Sequence, residues 1–385
     1  MNGIAYFDNA ATTFPKPEEV YAFTDKFYRG CGVNVGRGQH KLAAKVTALV
    51  VETREMLLAL NHCHAKRVVF THTATEALNT VLRGIRLNDG SNVYVSPFEH
   101  NAVMRTLHHI AKSKRLNVIA LAFDKVKFEY DLEKIGYQFA EQQPRLVVVS
   151  HASNVCGVVA PITKITALSK RHGAMNVIDM CQTMGLVDTD VSSANIDYAI
   201  FAGHKTLYAP LGVAGFICAA DTDLEPLLFG GTGTDSASRE LPTTIPEQYE
   251  VGSPNIMAIS GLNAALKWLK GIGIGEIYEV EQRNRARLFD VLCEFDNIKV
   301  VPTTATLNAI GVVSCVFDGY GSDSIGQVLS ERDVAVRTGL HCAPDAHRFL
   351  GTFPSGTVRF SVSYFNSDND FEQLRDTLAY IQENS

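Results

Sequence analysis

Apolar positions at Leu42, Val46, Leu49, Val50, Thr53, Met56, Leu57 and Leu60 recur at helical spacing, which predicts an amphipathic helix with one long buried stripe. Beyond it, short β-branched runs at residues 67–70, 92–95, 117–121, 146–150, 176–178, 198–201 and 212–218 alternate with helical stretches. Strands separated by crossover helices predict an α/β fold, a mostly parallel seven-stranded sheet covered by helices on both faces. A Gly/Thr/Pro-rich segment over residues 230–254 changes the pattern. Helices near 256–270 and 276–295 then lead into mixed strands and helices. The expected division is a large domain over residues 14–255 and a smaller α+β domain built from residues 1–13 and 256–385.

Composition adds little to this picture but excludes much. With 385 residues, 46% of them hydrophobic, the chain can bury two ordinary cores. Its 35 basic and 41 acidic residues are interspersed, so a surface for nucleic acid or an anionic membrane is not expected. No basic residue precedes an apolar stretch at the start, and apolar runs such as residues 146–149 fall far short of a membrane span; a cytoplasmic protein is expected. The eight cysteines, Cys31, Cys63, Cys156, Cys181, Cys218, Cys293, Cys315 and Cys342, are scattered rather than paired and read as reduced thiols.

In open α/β sheets ligands gather beyond the carboxyl ends of the strands, and here those ends are polar. The first expected strand runs into Thr71, His72, Thr73, Ala74, Thr75 and Glu76, the second into Glu99, His100 and Asn101, and the fourth into His151 and Asn154. The fifth delivers Asp179 and Gln182, and the sixth Gly203, His204 and Lys205. One His, Asn or Asp after a strand is commonly a turn or cap residue. Several on one edge of a sheet call for a ligand. A lysine just past a strand end suits an imine with an aldehyde, which makes Lys205 the candidate. Thr73, Ala74 and Thr75 open a helix expected over residues 76–83, where free N–H groups, the helix dipole and the Thr75 hydroxyl suit a phosphate. Asp179 can accept a hydrogen bond from a protonated pyridine nitrogen, and the His100 ring can stack over such a heterocycle. Together these parts describe a site for pyridoxal 5'-phosphate (PLP), a cofactor that acts as an electron sink while the protein orients it.

The same residues lie in motifs that occur in a fixed order: YFDNAATTFPKPEEV (6–20), RGQHKLA (37–43), TATEALN (73–79), FEHNA (98–102), SNVCGVVAPI (153–162), IDMCQTMG (178–185), GHK (203–205), GSPN (252–255), RTGLHCA (337–343) and VRFSVSYFN (358–366). Over essentially its whole length the chain resembles the cysteine desulfurase and selenocysteine lyase family of the class V aminotransferase superfamily. That resemblance implies PLP-dependent fold type I. It makes Lys205 the Schiff-base lysine, Asp179 the partner of the pyridine nitrogen and His100 the stacked ring and proton relay. Asn154 and Gln182 match positions near the cofactor's 3'-oxygen, Asn154 also lying toward the substrate, while Ala74, Thr75 and His204 match phosphate ligands. Ser253 matches a position that reaches the phosphate of a neighbouring subunit, which implies a homodimer with shared sites. Arg359 corresponds to the arginine that takes the substrate carboxylate, a task suited to a bidentate guanidinium.

Cys342, in RTGLHCA, matches the sulfur-accepting cysteine of the second group of desulfurases, which carry it on a short, ordered loop. The implied reaction converts L-cysteine to L-alanine and leaves a persulfide on Cys342 for a small thiol or a partner protein. L-Selenocysteine cleavage and class V amino-group transfer are the alternatives. Cys156 and Cys181 read as small residues within cofactor motifs, and Cys218, Cys293 and Cys315 as members of apolar runs. Neither His62, Cys63 and His64 nor His341, Cys342 and His347 has the paired spacing of structural zinc, so no metal is expected. Residues 230–234 lack the lysine of a nucleotide-binding P-loop and read as an active-site loop. Ala202 departs from the family, where a Ser or Thr commonly precedes GHK.

Overall fold

A computed structural model describes residues 3–35, 38, 40–233, 237–302 and 308–384. Arg37 and Gln39 of the RGQHKLA segment and Thr234 of the glycine-rich segment lie outside the described residues. The helix predicted from the first apolar stripe spans Lys41–Leu60 and buries Ala43, Val46, Leu49, Val50, Thr53 and Leu57. Leu42 is not part of that stripe: it is 39% exposed in the first turn, and Ala43 takes the inward position.

The large sheet has seven strands in the order Arg67–Thr71, Ala214–Cys218, Tyr198–Ala202, Met175–Asp179, Leu146–Ser150, Asn92–Val95 and Asn117–Ala120. Only Ala214–Cys218 runs against its neighbours, pairing Ala214 with both Thr71 and Ala202. All the other strands therefore end at the same edge. Leu146–Ser150 is buried along its whole length, as a strand covered on both faces must be. Val147 and Val149 enter one core with Val46, Leu49 and Leu57, and Leu146 and Val148 enter the opposite core with Leu78, Val81, Val103 and Leu107. The alternation of the pleat thus feeds two cores from one apolar run.

Helix Ile256–Ile272, placed by the sequence pattern at the start of the small domain, is buried in the first of these cores and packs on Glu18–Cys31 and Lys41–Leu60. The chain beyond it builds a second sheet, Ile298–Val301, Val312–Phe317, Thr357–Ser361 and Arg337–Gly339, over a third core with Leu288, Leu292, Phe371 and Leu374. The N-terminal strand Ala5–Tyr6 pairs in parallel with Val334–Ala335, and Asp8 bridges to Ser361. The first residues thus join the second sheet and then cross to the large one.

All eight cysteines are free thiols, and Cys293, expected inside an apolar run, is exposed at the end of its helix. Among the described residues no helix is long and apolar enough to cross a membrane.

Candidate active site

The shared strand edge and the second sheet enclose a cavity of about 300 Å³. Ala74, Thr75, His100, Asn154, Asp179, Gln182, His204, Lys205 and Arg359 all line it, together with Arg337 and His341, which the sequence reading had left without a role. Cys342 and Ser253 do not. Cys342 lines an adjoining cavity that shares Thr75, His100 and Ala102 with the first, and Ser253 is exposed.

Lys205 follows the strand Tyr198–Ala202 through Gly203, where a Cβ would stand 2.7 Å from the Val213 carbonyl oxygen. Glycine is therefore needed for the chain to turn so tightly against the reversed strand. The N-terminal motif clamps the turn. Thr13 N–H and the Thr12 hydroxyl donate to the His204 carbonyl at 3.1 and 3.0 Å, and the Thr13 hydroxyl donates to the Lys205 carbonyl at 3.0 Å. Lys16 Nζ joins them, 2.7 Å from both the Thr13 hydroxyl and the His204 carbonyl. Burial lowers its pKa to about 7.

His204 carries a buried Nδ1 with no hydrogen-bond partner. Burial, aided by the charges of Lys205 and Lys16, brings its pKa down to about 3, so the ring is neutral. Thr73 caps the helix Ala74–Gly84 through its hydroxyl, which accepts from Glu76 N–H at 3.1 Å. The helix thus starts two residues earlier than expected, and Thr75 sits in its first turn. Asp179 ends its strand with Oδ1 accepting from Cys181 N–H at 3.0 Å. Gln182 Nε2 donates to the Ala10 carbonyl at 2.9 Å and Asn154 Nδ2 to the His341 carbonyl at 2.7 Å; each amide keeps its oxygen and a second N–H.

His100 has a second task that the sequence did not suggest. It is the N-cap of helix Asn101–Lys114, and its Nδ1 accepts from Ala102 N–H at 3.0 Å. That bond occupies the Nδ1 lone pair and leaves the ring proton on Nε2. Burial first, then the positive charge of Lys205, lowers its pKa to about 4. The ring is therefore neutral above that pH and cationic only below it. Nitrogen-15 NMR of the imidazole is expected to show one neutral Nε2–H tautomer from pH 5 to 8; titration near 6.5 would contradict the capped geometry.

Beneath His100 lies Glu99, 1% exposed, which receives the Ser96 hydroxyl at 2.6 Å and the Ser150 amide and hydroxyl at 2.6 and 2.9 Å. Burial raises its pKa to about 7. One buried carboxyl thereby ties the ends of two strands together under the site.

Arg359 is 1% exposed in the middle of its strand. Its Nη2 meets Asp8 Oδ1 at 2.6 Å, its Nη1 donates to the Asn154 carbonyl at 3.0 Å, and its Nε is buried without a partner. A guanidinium anchored at two corners, with its Nε–H unpaired among the described residues, is arranged for a carboxylate. Asp8 lies in a motif the sequence reading quoted without assigning it a task; only its contact with Arg359, 351 residues away, supplies one.

Cys342 stands on a turn in which His341 and Cys342 both have left-handed backbones, φ 46° and 56°. Such conformations cost non-glycine residues energy and persist where the surroundings fix them. Here Asn154 holds the His341 carbonyl, Asn101 N–H donates to the Cys342 carbonyl at 2.7 Å, and helix Pro344–Leu350 begins directly afterwards. Arg337 donates to Cys342 Sγ at 3.3 Å. The thiol is thus held on a short, pinned loop beside a guanidinium. Among the described residues, no group of three or more His, Cys, Asp or Glu side chains is placed to hold a metal.

The family model described as Aminotransferase class-V matches residues 5–374. A probable cysteine desulfurase of Pyrococcus abyssi is 30% identical over 387 residues, covering 99% of this chain and 94% of that protein. One of Methanothermobacter thermautotrophicus is 28% identical over 382 residues, covering 98% and 94%. Among solved structures, the apo cysteine desulfurase of Thermococcus onnurineus NA1 superposes with a TM-score of 0.91 at 27% identity, covering 100% of this chain and 96% of that one. The cysteine desulfurase CsdA of Escherichia coli gives 0.85 at 26%, covering 99% and 95%.

Proposed function

The chain belongs to the aminotransferase class-V family, and from that premise we propose that it is a PLP-dependent cysteine desulfurase, which takes sulfur from L-cysteine and releases L-alanine. The observation that carries the reading is Cys342, held by Arg337 on a pinned turn and separated from the Lys205 cavity only by residues the two cavities share. An aminotransferase has no use for a thiol in that place.

The residues present fit PLP. The unpartnered buried Nδ1 of His204 and the first turn of helix Ala74–Gly84, with Thr75, suit its phosphate. Asp179 suits the pyridine nitrogen, His100 the ring face, Asn154 and Gln182 the 3'-oxygen, and Lys205 the aldehyde carbon. When bound, PLP supplies the electron sink for cleavage at the substrate's carbon atoms.

The side chains do the rest. Arg359 holds the substrate carboxylate with Asp8 and the Asn154 carbonyl keeping its plane fixed. Lys205 takes the Cα proton. His100, neutral with its proton on Nε2, is placed between the two cavities to move protons. The Cys342 thiolate bonds to the substrate sulfur as the Cβ–S bond breaks; the bonding pair stays with carbon, and a proton completes the methyl group of alanine. Sulfur remains on Cys342 as a persulfide. Arg337 donates to Cys342 Sγ and so orients it for that attack.

The test is product analysis of the PLP-loaded protein with L-cysteine, L-selenocysteine, and L-alanine plus a keto acid. Alanine from cysteine with one sulfur added to Cys342 is expected. Turnover on selenocysteine alone would make the protein a lyase for that amino acid, and keto-acid-dependent exchange would make it an aminotransferase.

Arg359→Lys is expected to raise KM for cysteine by about tenfold to a hundredfold, since a point charge reproduces neither the two anchoring bonds nor the third N–H. The loss appears in KM more than in kcat, and unchanged kinetics would place the carboxylate elsewhere.

Ser253, exposed on its own subunit, serves the phosphate of a second copy, so the active form is a homodimer with shared sites. Sedimentation is expected to give a dimer; a fully active monomer would exclude the arrangement. With free thiols throughout and no segment fit to span a membrane among the described residues, the protein works in the reducing cytoplasm.

A further inference from the structure

We infer that the second cavity, of about 430 Å³, is the acceptor subsite, and that it takes a small anionic thiol which removes the outer sulfur from the Cys342 persulfide. The inference rests on the desulfurase reading above. Cys342 lines this cavity rather than the substrate cavity, together with Asn79, Arg83, His100, Arg105 and His109. A persulfide formed on Cys342 therefore faces this cavity.

The charge of this cavity is one-sided. Among the described residues no carboxylate lines it. Arg83 and Arg105 are exposed at its rim, and neither has an ion-pair partner among the described residues. Arg337, bonded to Cys342 Sγ, lines the substrate cavity rather than this one. The field reaches into the site: the charges of Arg337 and Arg105 both help keep the His100 ring neutral. A cleft lined by one sign of charge concentrates the opposite ion and speeds its arrival. The cavity has room for a mercapto-carboxylate.

The transfer balances without an external oxidant or reductant. The acceptor thiolate attacks the outer sulfur, its new S–S bond forms as the Cys342 S–S bond breaks, and the bonding pair leaves on Cys342 Sγ. The acceptor departs as an alkyl persulfide, and Cys342 returns to its starting state.

The test begins with holoenzyme exposed to L-cysteine and freed of excess substrate, with the adduct on Cys342 counted by mass spectrometry. Its discharge is then timed with 3-mercaptopropionate, 2-mercaptoethanol and cysteamine, and rates are compared per thiolate. The anionic thiol is expected to act about tenfold faster than the neutral one, and the cationic thiol slowest. Arg83→Ala combined with Arg105→Ala, or roughly 0.5 M salt, is expected to erase the preference while the neutral thiol keeps its rate. That neutral rate also reports whether the doubly substituted protein is intact. Equal rates for the three thiols, a preference that survives the double substitution, or an adduct that no small thiol removes would each overturn the acceptor assignment, the last pointing to a protein acceptor. Absence of any sulfur adduct on Cys342 would instead sink the desulfurase reading and the subsite with it.

Discussion

Cys342→Ala is expected to lower alanine release from L-cysteine by on the order of 100-fold or more, the scale on which loss of an enzyme's own nucleophile is felt. The lysine, the Asp179 carboxylate and the Arg359 clamp lie in the other cavity and are untouched by the change, so cofactor binding and Cα proton exchange should survive. This dissociation is what makes the variant informative. If selenocysteine is also a substrate, its turnover should fall less, because selenium leaves carbon more readily and depends less on nucleophilic attack. The measurement is alanine released from each amino acid, with mass spectrometry for the sulfur adduct on the unaltered protein. Cysteine turnover persisting in the variant, with no adduct in the parent, would remove Cys342 from the reaction. Arg337→Ala leaves the thiol in place without its hydrogen-bond donor, and a milder loss of alanine release than that of Cys342→Ala is expected.

Lys205→Ala is expected to be the more damaging change of the two. It removes both the covalent link to PLP and the base for the Cα proton; the latter alone corresponds to about 10²–10⁴-fold. The yellow colour expected near ~420 nm should be lost, and exchange of the Cα hydrogen of cysteine for deuterium should stop. In the parent protein, borohydride reduction followed by peptide mapping should find the cofactor on Lys205. Label on another lysine would displace the whole site, and Lys16 is the informative comparison. It too is partly buried near the His204 carbonyl, with its pKa lowered to about 7, yet it lines neither cavity.

The strands were legible because each is a short β-branched run, and a strand buried on both faces has little choice of residue. Their carboxyl ends were legible as a site because polar residues after such runs have no structural need to cluster at one edge. Thr75, His100, Asp179 and Lys205, which line one cavity within a few positions of a strand end, could therefore be selected from the chain alone. Three features escaped that reasoning. Asp8 anchors Arg359 across 351 residues, and no local pattern announces a partner so distant. Glu99, one of the polar residues after the second strand, is a fully buried carboxyl joining two strands, a role visible only once Ser96 and Ser150 are seen to converge on it. The capping role of His100 depends on a 3.0 Å contact with the second residue of its helix, which fixes its tautomer.

What the sequence determined by itself was periodicity and chemistry: where helices and strands fall, that the sheet is mostly parallel, and which residue types stand at its edge. These follow from local sterics and from the burial of apolar side chains, both of which act over a few residues. The tertiary structure decided which of those residues meet. It packed helix Ile256–Ile272 into the first core although the sequence style changes before it. It set Cys342 in a cavity apart from Lys205, and it held two consecutive left-handed residues in place with bonds from Asn101 and Asn154. A strained turn of this kind is stable only while distant groups pay its cost, so its conformation belongs to the assembled fold and not to the RTGLHCA segment that forms it.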